Sequence, residues 1–486
     1  MIIRFSAFYQ SLADGQFPVR FLGRLNHEYG YPVANFLYPG FMYLGIPIHV
    51  LGSGFVDTIK IIFGLSMVGS AIFCYLWLSR SFDKLSSFIG ALFYLYTPYH
   101  LFDLYKRGSV GEILALAVLP FILWQIERKS FFWVSIAIAF LIISHNTLAI
   151  LFLPIIIIYK LIDLLLKENK KYIILNTLYL ILISLGLSAF FWIPAFFELQ
   201  YTVFSQTQVS DFNTYFADIN VIGISTIFVL FLTAVFMITS IIKFKKHRLT
   251  LLLFIIGLVS VFFSSSISTV LWSILPVSFI QFPFRFLSLA IVCISFLIAC
   301  IISTSPNKLK IPITALSLII LSISAQPFIA PLKFFDKGDV YYSTNEATTT
   351  VQDEYMPKWV KQKPIERFKE KVEVVGEIGR VNNISYNSKK IAFDVLADEN
   401  TKVRLNTIYY PGWNVLVNGQ KSEIDYSNDK GVMELELPKG ENKVELKFSE
   451  TPLRETSNII SILSLLAILF LGIKDSKRIL SNKLNF

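Results

Sequence analysis

Long apolar runs recur along this chain, and they limit its fold more than any other feature. Several reach about 18 residues or more, the length that carries a helix across the hydrocarbon core of a bilayer. Eleven runs lie near residues 58–79, 86–102, 111–126, 131–144, 148–166, 173–194, 219–242, 249–266, 286–304, 311–329 and 456–473. Pro98, Pro120 and Pro154 interrupt some of them, which membrane helices tolerate when neighbours satisfy the freed backbone. Only 16% of the 486 residues are charged, against about 25% in soluble domains. The pattern predicts a polytopic α-helical membrane protein with about eleven transmembrane helices.

The net charge of +10 does not point to nucleic acid, because the basic residues sit mostly in short loops between the runs. Loops 80–85, 127–130, 167–171, 243–248 and 306–310 and the tail 474–486 hold seventeen Lys and Arg. Loops 103–110, 145–147, 195–218 and 267–285 hold three, Lys106, Arg107 and Arg285. Positive charge favours the cytoplasmic side, so the first set and the C-terminus are expected there. Segment 330–455 is then extracytoplasmic, and so is the N-terminal region unless 36–51 crosses. That stretch, FLYPGFMYLGIPIHVL, carries Pro39, Gly40, Gly45 and Pro47 and reads as a re-entrant or interfacial element rather than a full span. Residues 1–55 are then outside without a hydrophobic segment ahead to export them, since MIIRFSAFYQSL is too short and too polar for a signal peptide. Either 36–51 spans, or the chain as given lacks a first transmembrane helix. Cys74, Cys293 and Cys300 all fall inside apolar runs and read as small core residues, not as a disulfide framework.

Segment 330–455 changes character. Alternating runs at 371–378, 390–397, 402–410, 413–419, 432–438 and 442–449 read as strands, with turn signals at Asn418-Gly419 and Lys439-Gly440. Their spacing predicts a small antiparallel β-sandwich. The expected organisation is an outer loop with the re-entrant segment (1–55), a multi-helix membrane domain (56–329), the extracytoplasmic sandwich (330–455), and a last helix with its tail (456–486).

GQFPVRF (15–21), YGYPVANFLYP (29–39), TPYHLFDLYKRGSVGEILALAVLPF (97–121), SHN (144–146), QFPFRFL (281–287) and TTTVQDEYMPKWV (348–360) occur in this order. Together they resemble the bacterial integral membrane family known as 6-pyruvoyl-tetrahydropterin synthase-related, although nothing here resembles a soluble pterin enzyme. YYPGWNVLVNG (409–419) is similar to the outer β-domain of that family and of YfhO-type membrane proteins. The resemblance implies a GT-C-like fold. Such proteins take a sugar from a polyprenyl-phosphate carrier outside the cytoplasmic membrane, and an acidic residue in the first outer loop serves as base or metal anchor. It also implies a first transmembrane helix followed by an Asp motif with nearby His and Arg. This chain begins inside that region, with Arg4 where the motif would end, so the expected acid lies upstream of Met1.

The candidate site residues follow. Arginines at an outer membrane face suit a lipid-linked phosphate, so Arg20, Arg107 and Arg285, with Gln281, are the expected donor-phosphate contacts. Glu112, Asp103, His27 and Glu28 are the candidate catalytic groups. The plainer reading of Glu112 is an acid complementing a helix N-terminus, paired with Arg107. Ionisable residues at membrane depth are costly, which favours function. His145, in the SHN hairpin, and Asp353, Glu354 and Tyr355 are the expected substrate contacts. The paired carboxylates suit sugar hydroxyls or a divalent cation, and no other cofactor is evident. No HExxH or other metal-ligand spacing and no GxxxxGK[ST] is present. Asp14-Gly15 reads as a turn, His100 as a satisfied structural residue, and Trp413 as a sandwich core residue more than a sugar platform.

The expected partners are a polyprenyl-phosphate-linked sugar donor, a glycan, lipid or protein acceptor in the cell envelope, and membrane lipids. The expected reaction is glycosyl transfer on the outer face. A flippase for lipid-linked saccharides predicts inverted repeats, and none is evident. A non-catalytic scaffold of the same fold is the other alternative, supported by the missing acidic motif.

Overall fold

The computed structural model describes residues 1–162, 170–206, 212–239, 248–275, 280–331, 337–376 and 379–484. Parts of the expected loops at 167–171, 195–218, 243–248 and 267–285 lie outside the described residues. So do the ends of the runs 148–166 and 219–242 and residues 377–378 of the first expected strand. The chain separates into two compact units. One comprises Met1–Ile59, Ala189–Gln208 and Asp336–Ile462, and the other Lys60–Ser188, Val209–Phe335 and Leu463–Phe486.

The second unit is helical. Its innermost helix is Leu287–Thr304, in which every residue from Leu287 to Ile302 is buried. It packs against Lys84–Tyr96, Arg248–Ser264 and Ile224–Thr239. Gly90 permits the first of these approaches, because a Cβ there would lie 2.7 Å from the Ser295 carbonyl oxygen. The Ser295 hydroxyl donates to the Gly90 carbonyl at 2.8 Å, so one polar side chain ties the two helices where they are closest. Asn307–Ala325, by contrast, leaves Leu316, Ile319 and Ile323 exposed. Contiguous apolar surface of this kind fits a lipid environment.

A helix begins within or beside each of the eleven apolar runs. Among the described residues, six helices are long and apolar enough to cross a membrane, or seven if the bent pair Arg248–Ser264 and Ser266–Ile274 is one span. Phe131–Ser144, Asn146–Leu161 and Ile224–Thr239 are shorter, and the last two run toward residues outside the described set. Counting apolar letters overstates helix length because loops between these helices are apolar too. Run 86–102, for example, breaks at Thr97, where Pro98 starts a new helix. The ambiguous stretch at 36–51 forms the helix Gly40–Val50. Its 11 residues rise about 16 Å, roughly half of a bilayer core. Ile2–Ala13 is also a helix, which its mixed polarity did not announce.

Among its described residues the first unit contains eight strands: β1 (Val372–Val375), β2 (Arg380–Tyr386), β3 (Lys390–Ala397), β4 (Thr401–Ile408), β5 (Trp413–Val417), β6 (Gln420–Ser422), β7 (Val432–Leu437) and β8 (Gly440–Phe448). They form two antiparallel sheets, β1-β4-β7 and β2-β3-β8-β5-β6. Alternation decides which face is buried. Along β3, Ile391, Phe393, Val395 and Ala397 are buried, and Phe393 lies opposite Val444 of β8. Two strands have no sequence signal of this kind. β2 is polar and carries a bulge between Asn382 and Ser385, and β6 is only three residues long.

The opening segment 14–39 is built into this same unit. Phe21 and Phe36 belong to the apolar core of the sheets, and the Phe21 ring meets Trp413 edge-on at 5.9 Å. The Ile408 N–H donates to the Tyr29 carbonyl at 2.8 Å. Asn26, His27 and Glu28 are all left-handed, with φ of 58°, 56° and 61°, a conformation costly for non-glycine residues. Gly30 follows at φ 86° with the Phe21 ring 2.1 Å from where a Cβ would stand. Gly30→Ala therefore combines backbone strain with overpacking and should cost about 2–4 kcal/mol. Thermal unfolding of the purified protein checks this, and a cost under about 0.5 kcal/mol would contradict it.

Candidate functional site

Six of the expected site residues converge in the helical unit around one carboxylate. Glu112 lies in the first turn of Val110–Glu127 and is fully buried. Its Oε2 accepts from Arg107 Nη1 at 2.6 Å and from the Tyr99 hydroxyl at 3.2 Å. Its Oε1 accepts from Arg285 Nε at 3.0 Å and faces His145 Nε2 at 3.5 Å. Both oxygens are therefore occupied. Arg107, Arg285 and His145 come from three different elements. Arg107 closes the turn Phe102–Arg107, which stops at left-handed Gly108. Arg285 sits in the turn Pro283–Phe286 that leads into Leu287–Thr304. His145 caps Asn146–Leu161, its Nδ1 accepting from the Leu148 N–H at 3.2 Å. Since Nδ1 accepts, the imidazole proton sits on Nε2, facing Glu112.

Asp103 joins through Arg107 Nη1, which donates to its Oδ1. The other Asp103 oxygen, Oδ2, is buried without a hydrogen-bond partner among the described residues. Arg285 Nη1 donates to the Ile280 carbonyl at 2.7 Å and to Gln281 Oε1 at 3.2 Å, so Gln281 orients the guanidinium. Phe282 and Phe284 stack on each other at 5.3 Å and 11°. Arg107 stands over Phe284 at 4.6 Å, and Arg285 over Phe282 at 4.6 Å. Two guanidiniums balance two carboxylates, as buried charges require. The two arginines differ in access. Arg285 is 7% exposed, whereas Arg107 is 19% exposed. Arg107 also keeps Nε and Nη2 without hydrogen bonds among the described residues.

The other six expected residues belong to the unit that holds the sheets. Arg20 is buried and pairs with Glu450 at 3.3 Å and with Asn458 Oδ1 at 3.3 Å. His27 lies in the left-handed turn, and its backbone N–H donates to the Glu346 carbonyl at 3.1 Å. Glu28 pairs with Arg367 at 2.6 Å. Asp353 accepts from Thr348 and Lys363. Glu354 follows it, and Tyr355 stacks between Phe36 at 5.0 Å and Phe204 at 5.8 Å. Among the described residues no group of three His, Cys, Asp or Glu side chains is arranged to hold a metal. Asp14 accepts from the Ser388 N–H at 2.9 Å, and His100 Nδ1 meets the Tyr94 carbonyl at 2.9 Å. Trp413 lies in the sandwich core.

Sequence reasoning overlooked a second buried network in this unit. Glu198 accepts from Arg454 Nε at 2.9 Å and Nη2 at 2.7 Å, from the Tyr410 hydroxyl at 3.0 Å and from Asn35 Nδ2 at 2.7 Å. Neither Glu198 nor Arg454 stands in a recognisable motif. The only signal was a charged residue at the edge of an apolar run. Tyr99, Phe282 and Phe284 were missed as members of the Glu112 cluster, although they lie inside quoted motifs, because aromatics near membrane helices ordinarily read as packing.

Lys371 is also buried. Its ammonium donates to the carbonyls of Glu28 at 2.9 Å and Asn406 at 3.0 Å. Burial pushes it down to about 7, with the Glu28 carboxylate opposing and Arg367 reinforcing the shift. The unfolded chain then binds more protons than the folded one from about pH 7 up to about pH 10. Stability should rise with pH across that window, by at most about 1.4 kcal/mol per pH unit, and be lost as pH falls through the folded value. Thermal unfolding across pH measures the slope. Lys371→Met should flatten it, and an unchanged slope would exclude Lys371 as its source.

Comparison with known proteins adds the family. The family profile described as 6-pyruvoyl-tetrahydropterin synthase related domain, a membrane protein, matches residues 37–332. This is more than half of the chain and includes all six residues gathered around Glu112. No curated protein matches the chain. Its apolar helices, its C-terminal β-sheets and this match together place the chain in the 6-pyruvoyl-tetrahydropterin synthase-related family of membrane proteins.

Proposed function

We propose that this protein is a GT-C-like membrane glycosyltransferase. It transfers a sugar from a polyprenyl-phosphate-linked donor to a cell-envelope acceptor on the outer face. The supporting observation is Arg107: a guanidinium fixed by two buried carboxylates and an aromatic ring, with two nitrogens left uncommitted. In the reaction the acceptor hydroxyl oxygen bonds to the anomeric carbon while the bond from that carbon to the phosphate oxygen breaks. Negative charge grows on the departing polyprenyl phosphate, where a preorganised guanidinium is most effective. The hydroxyl proton passes to a carboxylate. Asp103 and Glu112 are the two carboxylates that hold Arg107. Glu112, Arg285, Gln281 and His145 position Arg107. The same reading has about eleven spans, a cytoplasmic C-terminus and an extracytoplasmic β-domain.

A non-catalytic scaffold is the second reading, favoured by the saturation of Glu112 and the balanced charges of its cluster. Reconstituted protein given a polyprenyl-phosphate sugar and envelope acceptors separates the two by release of polyprenyl phosphate. Arg107→Ala should lower release at least about 100-fold, the scale of losing one transition-state donor, and Asp103→Asn should do likewise. A chelator added to the same assay tests for a divalent ion. Donor binding without release by the intact protein supports the scaffold, and sugar-lipid crossing the bilayer uncleaved supports a flippase.

A further inference from the structure

Lys106 precedes Arg107 in the turn Phe102–Arg107 and takes no part in holding Glu112. The turn is wound as a π-helix, a rare geometry that is frequent at functional sites. Asp103 lies on its buried side and Lys106 on its exposed side. The Lys106 ammonium stands over the Phe328 ring at 4.8 Å and pairs with no carboxylate among the described residues. The rings beneath the cations are contiguous. Phe102 meets Phe328 at 6.0 Å and Phe284 at 5.5 Å, both edge-on, and Phe284 stacks on Phe282. Lys106 over Phe328, Arg107 over Phe284 and Arg285 over Phe282 thus form a row of cations on a row of rings. The charges along this row do not balance. Asp103 and Glu112 offset Arg107 and Arg285, and His145 is neutral, with Nδ1 accepting. Lys106 is therefore the excess positive charge of the cluster. A cation beside apolar helices is costly without a counter-charge, and the ring beneath it recovers only part of that cost. Lys106 is exposed and Arg107 is 19% exposed, so an anion can reach both.

We propose that Lys106 is a donor-binding residue, its ammonium taking the phosphate of the lipid-linked sugar beside Arg107. This rests on the reading that Arg107 faces that phosphate. The two cations differ in how they are held. Arg107 is fixed by two carboxylates and suits the charge that grows as the bond to the sugar breaks. Lys106 is a point charge on a flexible stem. It attracts the phosphate already present in the intact donor, so it acts on binding and not on bond breaking. The phosphodiester of that donor carries a single negative charge, which is the charge that Lys106 leaves unmatched.

The test is binding of farnesyl phosphate, a short polyprenyl phosphate, to the full-length protein in neutral detergent, with farnesol as the uncharged control. Lys106→Gln should lose about ten-fold in affinity for the phosphate and nothing for the alcohol, while Lys106→Arg keeps most of the affinity. Raised salt should narrow the gap between parent and Lys106→Gln, because an exposed cation is screened. Lys106→Gln leaves no carboxylate unpaired, so it should unfold at a temperature close to that of the parent, and lost binding is then not lost folding. In the transfer assay the same variant should raise KM about ten-fold and keep kcat within about two-fold. Equal affinity of parent and Lys106→Gln for farnesyl phosphate overturns the proposal, as does an equal loss for farnesol. Lys106-dependent binding by a protein that releases no polyprenyl phosphate would keep the proposal and remove the transfer reading, so the two fail separately.

Discussion

Glu112→Ala should destabilise the helical unit by about 3–5 kcal/mol, the cost of leaving buried charges without their partner. The removed carboxylate takes hydrogen bonds from Arg107, Arg285 and Tyr99. Among the described residues Arg285 then keeps only a carbonyl and the Gln281 amide oxygen as hydrogen-bond acceptors. Glu112 also sits in the first turn of its helix, where a negative charge is favoured by the dipole, so a further contribution of about 0.5 kcal/mol is lost. Glu112→Gln keeps the shape and removes the charge, and should recover less than half of the loss. Replacing Glu112 and Arg285 together with Met should be milder than Glu112→Ala alone, since an apolar substitute leaves fewer charges unpaired. Unfolding in detergent measures all three. Added salt should change the differences little, because buried pairs are poorly screened. A Glu112→Ala cost under about 1 kcal/mol would show that the arginines find other partners.

Glu198→Ala and Arg454→Ala should each cost about 3–5 kcal/mol in the unit that holds the sheets. Both side chains are almost wholly buried, and the pair is bidentate. Both also stand at the unfavourable end of a helix. Glu198 is the last residue of Ala189–Glu198, and Arg454 lies in the first turn of Pro452–Leu484. Each charge opposes its helix dipole, so pairing must offset that cost as well as desolvation. The expected signature is strong coupling: the double variant should lose about 2–3 kcal/mol less than the sum of the single ones. Tyr410→Phe, which removes one hydroxyl from Glu198, should cost about 1–2 kcal/mol. Additive single effects would mean that the two residues act separately despite their contact.

Apolar run length was enough to identify a membrane protein, because the width of a bilayer dictates it. It was a poorer guide to helix length. Thr97-Pro98 ends one helix inside a run, and run length does not separate Leu287–Thr304, buried from Leu287 to Ile302, from Asn307–Ala325, which leaves Leu316, Ile319 and Ile323 exposed. Strand alternation was equally legible. The boundaries of 390–397 agree with β3 to the residue, because a period of two in apolar residues has one structural meaning when one face is buried. β2 and β6 escaped because a bulge and a three-residue length erase that period.

Local pattern therefore determined the class, all the described strands but β2 and β6, and the residue types able to grip an anion. Only the tertiary structure decided which of those residues meet. Arg20, Arg107 and Arg285 carry one expectation from sequence, a contact to a lipid-linked phosphate. In the structure Arg107 and Arg285 share one carboxylate with Asp103 and His145 close by, while Arg20 is held by Glu450. Segment 14–39 reads as a polar-aromatic stretch of an outer loop, yet Phe21 and Phe36 anchor it in the core of the sheets. The physical reason is range. Periodicity and turn chemistry act over a few residues, whereas pairing a buried charge depends on partners that are distant in sequence, such as Glu112 with Arg285 and Glu198 with Arg454.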